Sequence, residues 1–224
     1  MKRYFHEELE TVRTHLMLMG EKAVSSVSLA MKALLRNDMA LAEQVIEADD
    51  EIDELEKQIE IEVARYVGLR APVARDLRLL MVAVKASHDI ERIGDEATSI
   101  ATRAIQVLAD GRPVPAYAQI PRMSELAVKM VQDVMQSFIQ GDEALAYSIF
   151  KRDAEVDDLN RRNFEELVGL MKGDSDHAAD YTELVFISKS FERIADHAKN
   201  IAEKVYYLLT GRSLKAVIRE ESGK

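Results

Sequence analysis

Glu91-Arg92-Ile93-Gly94-Asp95-Glu96-Ala97-Thr98-Ser99-Ile100-Ala101 returns as Glu192-Arg193-Ile194-Ala195-Asp196-His197-Ala198-Lys199-Asn200-Ile201-Ala202, with seven of eleven positions identical. Packing a helix requires an apolar seam; it does not require acid, base, apolar and acid in the same order twice. The recurrence implies an internal duplication and points to the carboxylates as the chemistry. It extends upstream. Ala40-Leu41-Ala42 matches Ala144-Leu145-Ala146, and Asp49, Glu51, Asp53 and Leu55 match Asp153, Glu155, Asp157 and Leu159. The upstream offset is 104 and the motif offset 101, so the second half is shorter by three residues, between Gly173 and Asp180.

Leu, Ala, Glu, Lys, Met and Arg, all good helix formers, dominate the 224 residues. The prolines are Pro72, Pro113, Pro115 and Pro121, all between apolar-periodic segments. No run of alternating β-branched residues appears, so the chain reads as all-α. The pattern predicts six helices, over about residues 4–36, 39–67, 74–109, 121–140, 143–171 and 180–209. Asn37-Asp38 and Gly141-Asp142 are matching turns, each a helix stop followed by a good N-cap. Long rods joined by short loops fold back on one another. The expected fold is therefore two tandem, pseudo-symmetric antiparallel three-helix bundles. The first repeat occupies residues 1–110, a linker 111–120 and the second repeat 121–211; the tail, 212–224, forms a short helix or frays.

The net charge of −10 disfavours a non-specific nucleic-acid binder. With no cysteine there is no disulfide and no thiolate metal site. The N-terminus lacks a signal-peptide core, and no run of about 18 apolar residues exists to span a membrane. The cytoplasm is the expected compartment.

The third helix carries the seam Leu79, Ala83, Ala86, Ile90, Ile93, Ala97, Ile100, Ala104, Val107, and the sixth carries Leu184, Ile187, Phe191, Ile194, Ala198, Ile201, Val205, Leu208. Asp95 and Asp196 lie one helical turn along the same flank from Glu91 and Glu192, which each lie one residue past a seam position. Asp49 and Asp53 also lie one residue past the seam Val45, Ala48, Ile52, Leu55, Ile59, while Asp157 follows Val156 and Asp153 holds the matching place. Depending on the hand of each hairpin, the four acids of a bundle either meet in one groove or face apart. Acids at i and i+4 repel by roughly 0.2–0.5 kcal/mol per pair, so a gathered set calls for cations. Carboxylate oxygens without Cys or His suit Mg²⁺, Ca²⁺, Mn²⁺ or iron in an oxygen-rich cluster. The bland alternative is that Arg92 and Arg193 balance the acids and nothing binds.

Ferritin-like di-iron proteins need Glu-x-x-His, and no histidine here has a Glu three residues before it. His88 and His197 are near the acids at the wrong spacing, and His197 reads as a flank residue. No phosphate-cradling loop or HExxH motif occurs. Met17, Met19, Met31, Met130 and Met135 read as core filling. Catalysis has little support.

Arg75-Asp76-Leu77-Arg78-Leu79-Leu80-Met81 with Asp89-Ile90-Glu91-Arg92-Ile93-Gly94-Asp95 resembles the first repeat of the PhoU family. Phe191-Glu192-Arg193-Ile194-Ala195-Asp196 resembles the second, and the stretch from Glu10 to Gly20 also fits. The resemblance implies two three-helix bundles, dimers, and a cytoplasmic negative regulator of the phosphate-starvation response. Its implied partners are the ATPase subunit of the phosphate ABC transporter (PstB-like) and a sensor histidine kinase (PhoR-like). It further implies divalent or trivalent metal ions (Mg, Mn, Fe or Zn) on Glu91, Asp95, Glu192, Asp196, Asp49, Asp53, Asp153 and Asp157. Ala195, where the first repeat has Gly94, departs from equality of the two sites. The rival reading is a metal store or carboxylate-bridged metalloenzyme.

Overall fold

The computed structural model describes residues 2–109, 111 and 116–222. Pro113 and Pro115, within the stretch read as a linker, lie outside the described residues. Among the described residues there is no strand. The first bundle comprises α1 (Lys2–Arg36), the broken rod α2 (Met39–Glu47) and α3 (Asp49–Arg70), and α4 (Ala74–Leu108). The second comprises α5 (Ile120–Gln140), α6 (Glu143–Gly173) and α7 (Ala178–Thr210), with a single 3-10 turn at Ser175–His177; α8 (Leu214–Ser222) closes the chain against α7.

The matching turns are as the residues suggest. Asn37 and Gly141 adopt left-handed φ of 53° and 68°. Asp38 and Asp142 then cap α2 and α6, accepting from Leu41 N at 3.0 Å and Leu145 N at 2.9 Å. Two boundaries differ from the sequence reading. The second rod is not continuous: the backbone bends at Ala48, whose N–H bonds Gln44 O at 3.1 Å and whose carbonyl accepts from Glu51 N at 3.3 Å. Nor does the rod stop at Gly68. It continues to Arg70 and ends at Ala71 in left-handed geometry (φ 47°), ahead of Pro72.

Each seam is buried, from Leu79 to Val107 on α4 and from Leu184 to Val205 on α7. These two helices bury more than their seams. Ser87, Gly94 and Ala101 on α4, with Ser188, Ser190, Ala195 and Ala202 on α7, are also sequestered: Gly94 lies against Asp49 and Ile52 of α3 and Ser188 against Asn160 and Asn163 of α6, and α4 and α7 also pack along each other. They run antiparallel, and charged pairs mark the register. His197 Nδ1 lies 3.0 Å from Asp89 Oδ1, Arg193 donates to Glu96 at 3.1 Å, and Arg103 donates to Glu183 at 2.7 Å. The bundles also meet where α1 crosses α5. A Cβ on Gly20 would come within 2.6 Å of Met135 Cε, so the bare backbone of α1 admits that side chain. The result is one continuous apolar core shared by both repeats.

Candidate metal centre

The hairpins have the convergent hand. In the first repeat the bend at Ala48 starts α3 with Asp49, and the Asp49 carboxylate lies over Gly94 of α4. A Cβ there would stand 3.1 Å from Asp49 Oδ1 and 3.0 Å from Ile52 Cδ1. Asp49 has its carboxyl raised above the usual range, first by burial and then by the charges of Asp95 and Asp53, against the opposing Thr98 hydroxyl. Glu91 is raised too, by burial first and by Asp95 and Glu56, while Arg92 and His88 oppose. Asp49, Asp53, Glu91 and Asp95 thus share one groove between α3 and α4. Arg92 partly balances them, with Nε 3.1 Å from Glu91 Oε2 and Nη1 donating to Asp95 Oδ2 at 2.9 Å.

The second repeat gathers its four acids likewise between α6 and α7. Asp157 is raised by burial and by Glu192 and Asp196; Asp153 is raised by burial ahead of the opposing Lys199. Here Arg193 leaves the groove and pairs with Glu96 on α4. Lys199 bonds Asp153 Oδ2 and reaches Asp196 Oδ1 at 3.2 Å, and Lys189 pairs with Glu192.

Of the eight carboxylates, Asp153 keeps a buried oxygen (Oδ1) with no partner, while the buried Glu91 Oε2 and Glu192 Oε2 lie against the cations of Arg92 and Lys189. An unsatisfied buried carboxylate oxygen is costly unless a cation meets it. In the first groove four carboxylates face the guanidinium of Arg92, an excess of negative charge whose donor set fits a hard or borderline cation. The oxygens of Glu91, Asp95, Asp49 and Asp53 would hold it, and the ion would neutralise the repulsion they otherwise carry.

One ligand-capable residue, Glu56, escaped the sequence reading, and another, His88, was set aside on its spacing. Glu56, His88 and Glu91 bring one ligand atom each to within 4.8 Å of one another. His88 Nδ1 is 3.3 Å from Glu56 Oε1 and 4.0 Å from Glu91 Oε2. The available signal was His88-x-x-Glu91, the reverse of the Glu-x-x-His sought, with both residues on one face of α4. Glu56 continues the flank of Asp49 and Asp53 at helical spacing. His197, by contrast, is engaged with Asp89 across the α4–α7 interface.

The fold and groove define a class: duplicated three-helix bundles, fused along their third helices, each with a carboxylate groove facing its neighbouring helix. The PhoU domain model matches residues 16–104 and 120–205, one match per repeat, and the chain belongs to the PhoU family. A phosphate-specific transport system accessory protein PhoU homolog from Pseudomonas aeruginosa is 38% identical over 217 residues, 97% of this chain and 90% of that protein. The crystal structure of PhoU from Pseudomonas aeruginosa superposes with a TM-score of 0.89 at 39% identity, covering 93% of this chain and 100% of that one. The crystal structure of the phosphate transport system regulatory protein PhoU from Streptococcus pneumoniae gives 0.85 at 29% identity, covering 93% and 98%. No helix among the described residues is long and apolar enough to cross a membrane.

Proposed function

We propose that this protein is a cytoplasmic accessory regulator of phosphate-specific transport that represses the phosphate-starvation response. It acts as an adaptor between the ATPase subunit of the phosphate transporter and a sensor histidine kinase, works as a homodimer and holds metal ions on carboxylates between its paired helices. The observation that carries the regulatory reading is family membership over both repeats, with relatives named as accessory and regulatory proteins of phosphate transport. The same names favour a non-catalytic role. The metal part rests on the convergence of like charges in the grooves, with Glu56, His88 and Glu91 bringing ligand atoms within 4.8 Å of one another. Capture from phosphate-replete cells tests the adaptor: wild-type protein retains transporter and kinase subunits, and recovery of neither defeats it.

The second reading, a metal store or carboxylate-bridged metalloenzyme, gains from the histidine that joins Glu56 and Glu91. It requires many ions per chain, or oxygen turnover, in iron-loaded protein. Finding neither eliminates it.

A further inference from the structure

The two grooves descend from one ancestor, yet their neighbouring residues have changed in a consistent direction. Position 88 is His and its counterpart 189 is Lys; position 98 is Thr and its counterpart 199 is Lys. Glu56, on the upstream offset, corresponds to Asn160. The first groove thus has an extra carboxylate, an imidazole and a hydroxyl where the second has an amide and two ammonium groups. These differences bear on the grooves directly. Lys199 contacts Asp153 on α6 and Asp196 on α7 together, spanning the gap a cation would occupy, and Lys189 contacts Glu192. Asp153 is almost wholly buried, at 6% exposure, and Lys199 is the cation that meets it. In the first groove Arg92 pairs with Glu91 and Asp95, but among the described residues no lysine or arginine pairs with Asp49, Asp53 or Glu56.

We infer that the copies have divided their roles: the first groove is the metal site, extended by Glu56 and His88, and the second carries its counter-cation in the chain as Lys199 and Lys189. This rests on the metal-binding reading proposed above. An incoming divalent ion would share the second groove with an ammonium already bonded to the same oxygens, so like-charge repulsion adds to the loss of those bonds. The imidazole in the first groove also sets a preference. A nitrogen donor among carboxylates favours Mn²⁺, Fe²⁺ or Zn²⁺ over Mg²⁺.

Titration of the metal-free full chain with Mn²⁺, counted by elemental analysis after dialysis, tests this. Wild type binds Mn²⁺, and a large excess of Mg²⁺ does not displace it. Glu91→Gln with Asp95→Asn weakens binding by about tenfold or more. Glu192→Gln with Asp196→Asn leaves it unchanged. Lys189→His with Lys199→Thr creates additional binding, which Glu192→Gln and Asp196→Asn then remove. Circular dichroism confirms that each variant is folded; should the lysine pair prove indispensable for folding, the two acid variants decide alone. Equal loss from the two acid variants overturns the division of roles and leaves the metal reading standing. Absence of Mn²⁺ from wild type and every variant defeats the metal reading itself.

Discussion

At the scale of single residues, the first groove depends on what Gly94 lacks. The Cβ that Ala195 carries without conflict would, on Gly94, press Ile52 Cδ1 at 3.0 Å and Asp49 Oδ1 at 3.1 Å. Overpacking costs about 1–3 kcal/mol, and the better helix propensity of Ala offsets up to about 1 kcal/mol. Gly94→Ala is therefore expected to lower stability by about 1 kcal/mol, a fall in Tm of roughly 2–4 °C. Thermal denaturation followed by circular dichroism checks this, and an unchanged or higher Tm would mean that α3 and α4 separate freely. Asp49 gives a prediction of opposite sign. Its folded pKa is raised above 3.8, so the unfolded chain ionises first. Metal-free protein therefore loses stability as pH rises from 3.8 through the folded value, and the loss is complete at neutral pH. Asp49→Asn is expected to raise the urea midpoint at neutral pH. The gain should vanish below the ordinary aspartate range, and a gain persisting there would show that charge is not its source.

Among the elements, the capped turns and seams were legible because they follow from local rules: an Asp after a helix stop, and an apolar residue at each third or fourth place. Asp38→Ala and Asp142→Ala should each cost about 1 kcal/mol, measured as a shift in denaturation midpoint. The acid flank was legible for the same reason, but its hand was not. A seam states which side of a helix is apolar, and leaves open on which side of the hairpin the third helix packs. The bend at Ala48 has no local cause, with neither Pro nor Gly nearby. It arises where α3 must lay Asp49 and Ile52 on Gly94. Gly68 misled in the other direction, since burial of Tyr66 on the last turns holds α3 helical past a residue that weakens helices by about 1 kcal/mol. The α4–α7 contact was not legible in the seams, which describe each bundle alone. Its chief buried anchor is Asp89. Burial pushes that carboxyl up, but bonds from His197 and Lys204 prevail and hold it below the ordinary value. The stability from Asp89 is therefore present above the unfolded pKa and lost as pH falls through the folded one. Asp89→Asn strands Lys204, and the cost should fall at or below the lower end of the ~3–5 kcal/mol for a broken buried pair, because Lys204 keeps partial access to water. Chemical denaturation across pH should show this cost shrinking in acid.

For the molecule as a whole, the joined core decides how the repeats share stability. Tandem repeats invite the expectation of two independent units, each melting at its own temperature. The packing argues otherwise. The α4–α7 contact runs along the length of both helices, the α1–α5 crossing adds Gly20 and Met135, and the apolar core passes from one bundle to the other without a break. Unfolding either bundle alone would expose Ala101, Ala202 and their neighbours to water and leave Asp89, Glu96 and Glu183 without their partners across the interface. Calorimetry of metal-free protein should accordingly give a single endotherm whose van't Hoff and calorimetric enthalpies agree. Ile194→Ala, a fully buried truncation on α7, sharpens the test. It should cost about 3 kcal/mol and move the entire endotherm down by roughly 6–12 °C. A component left at the wild-type temperature would instead identify the first bundle as melting on its own, and the two grooves could then respond to cations without reference to each other. A single shifted transition means that an ion bound between α3 and α4 would stabilise α7 as well, through the contact between α4 and α7.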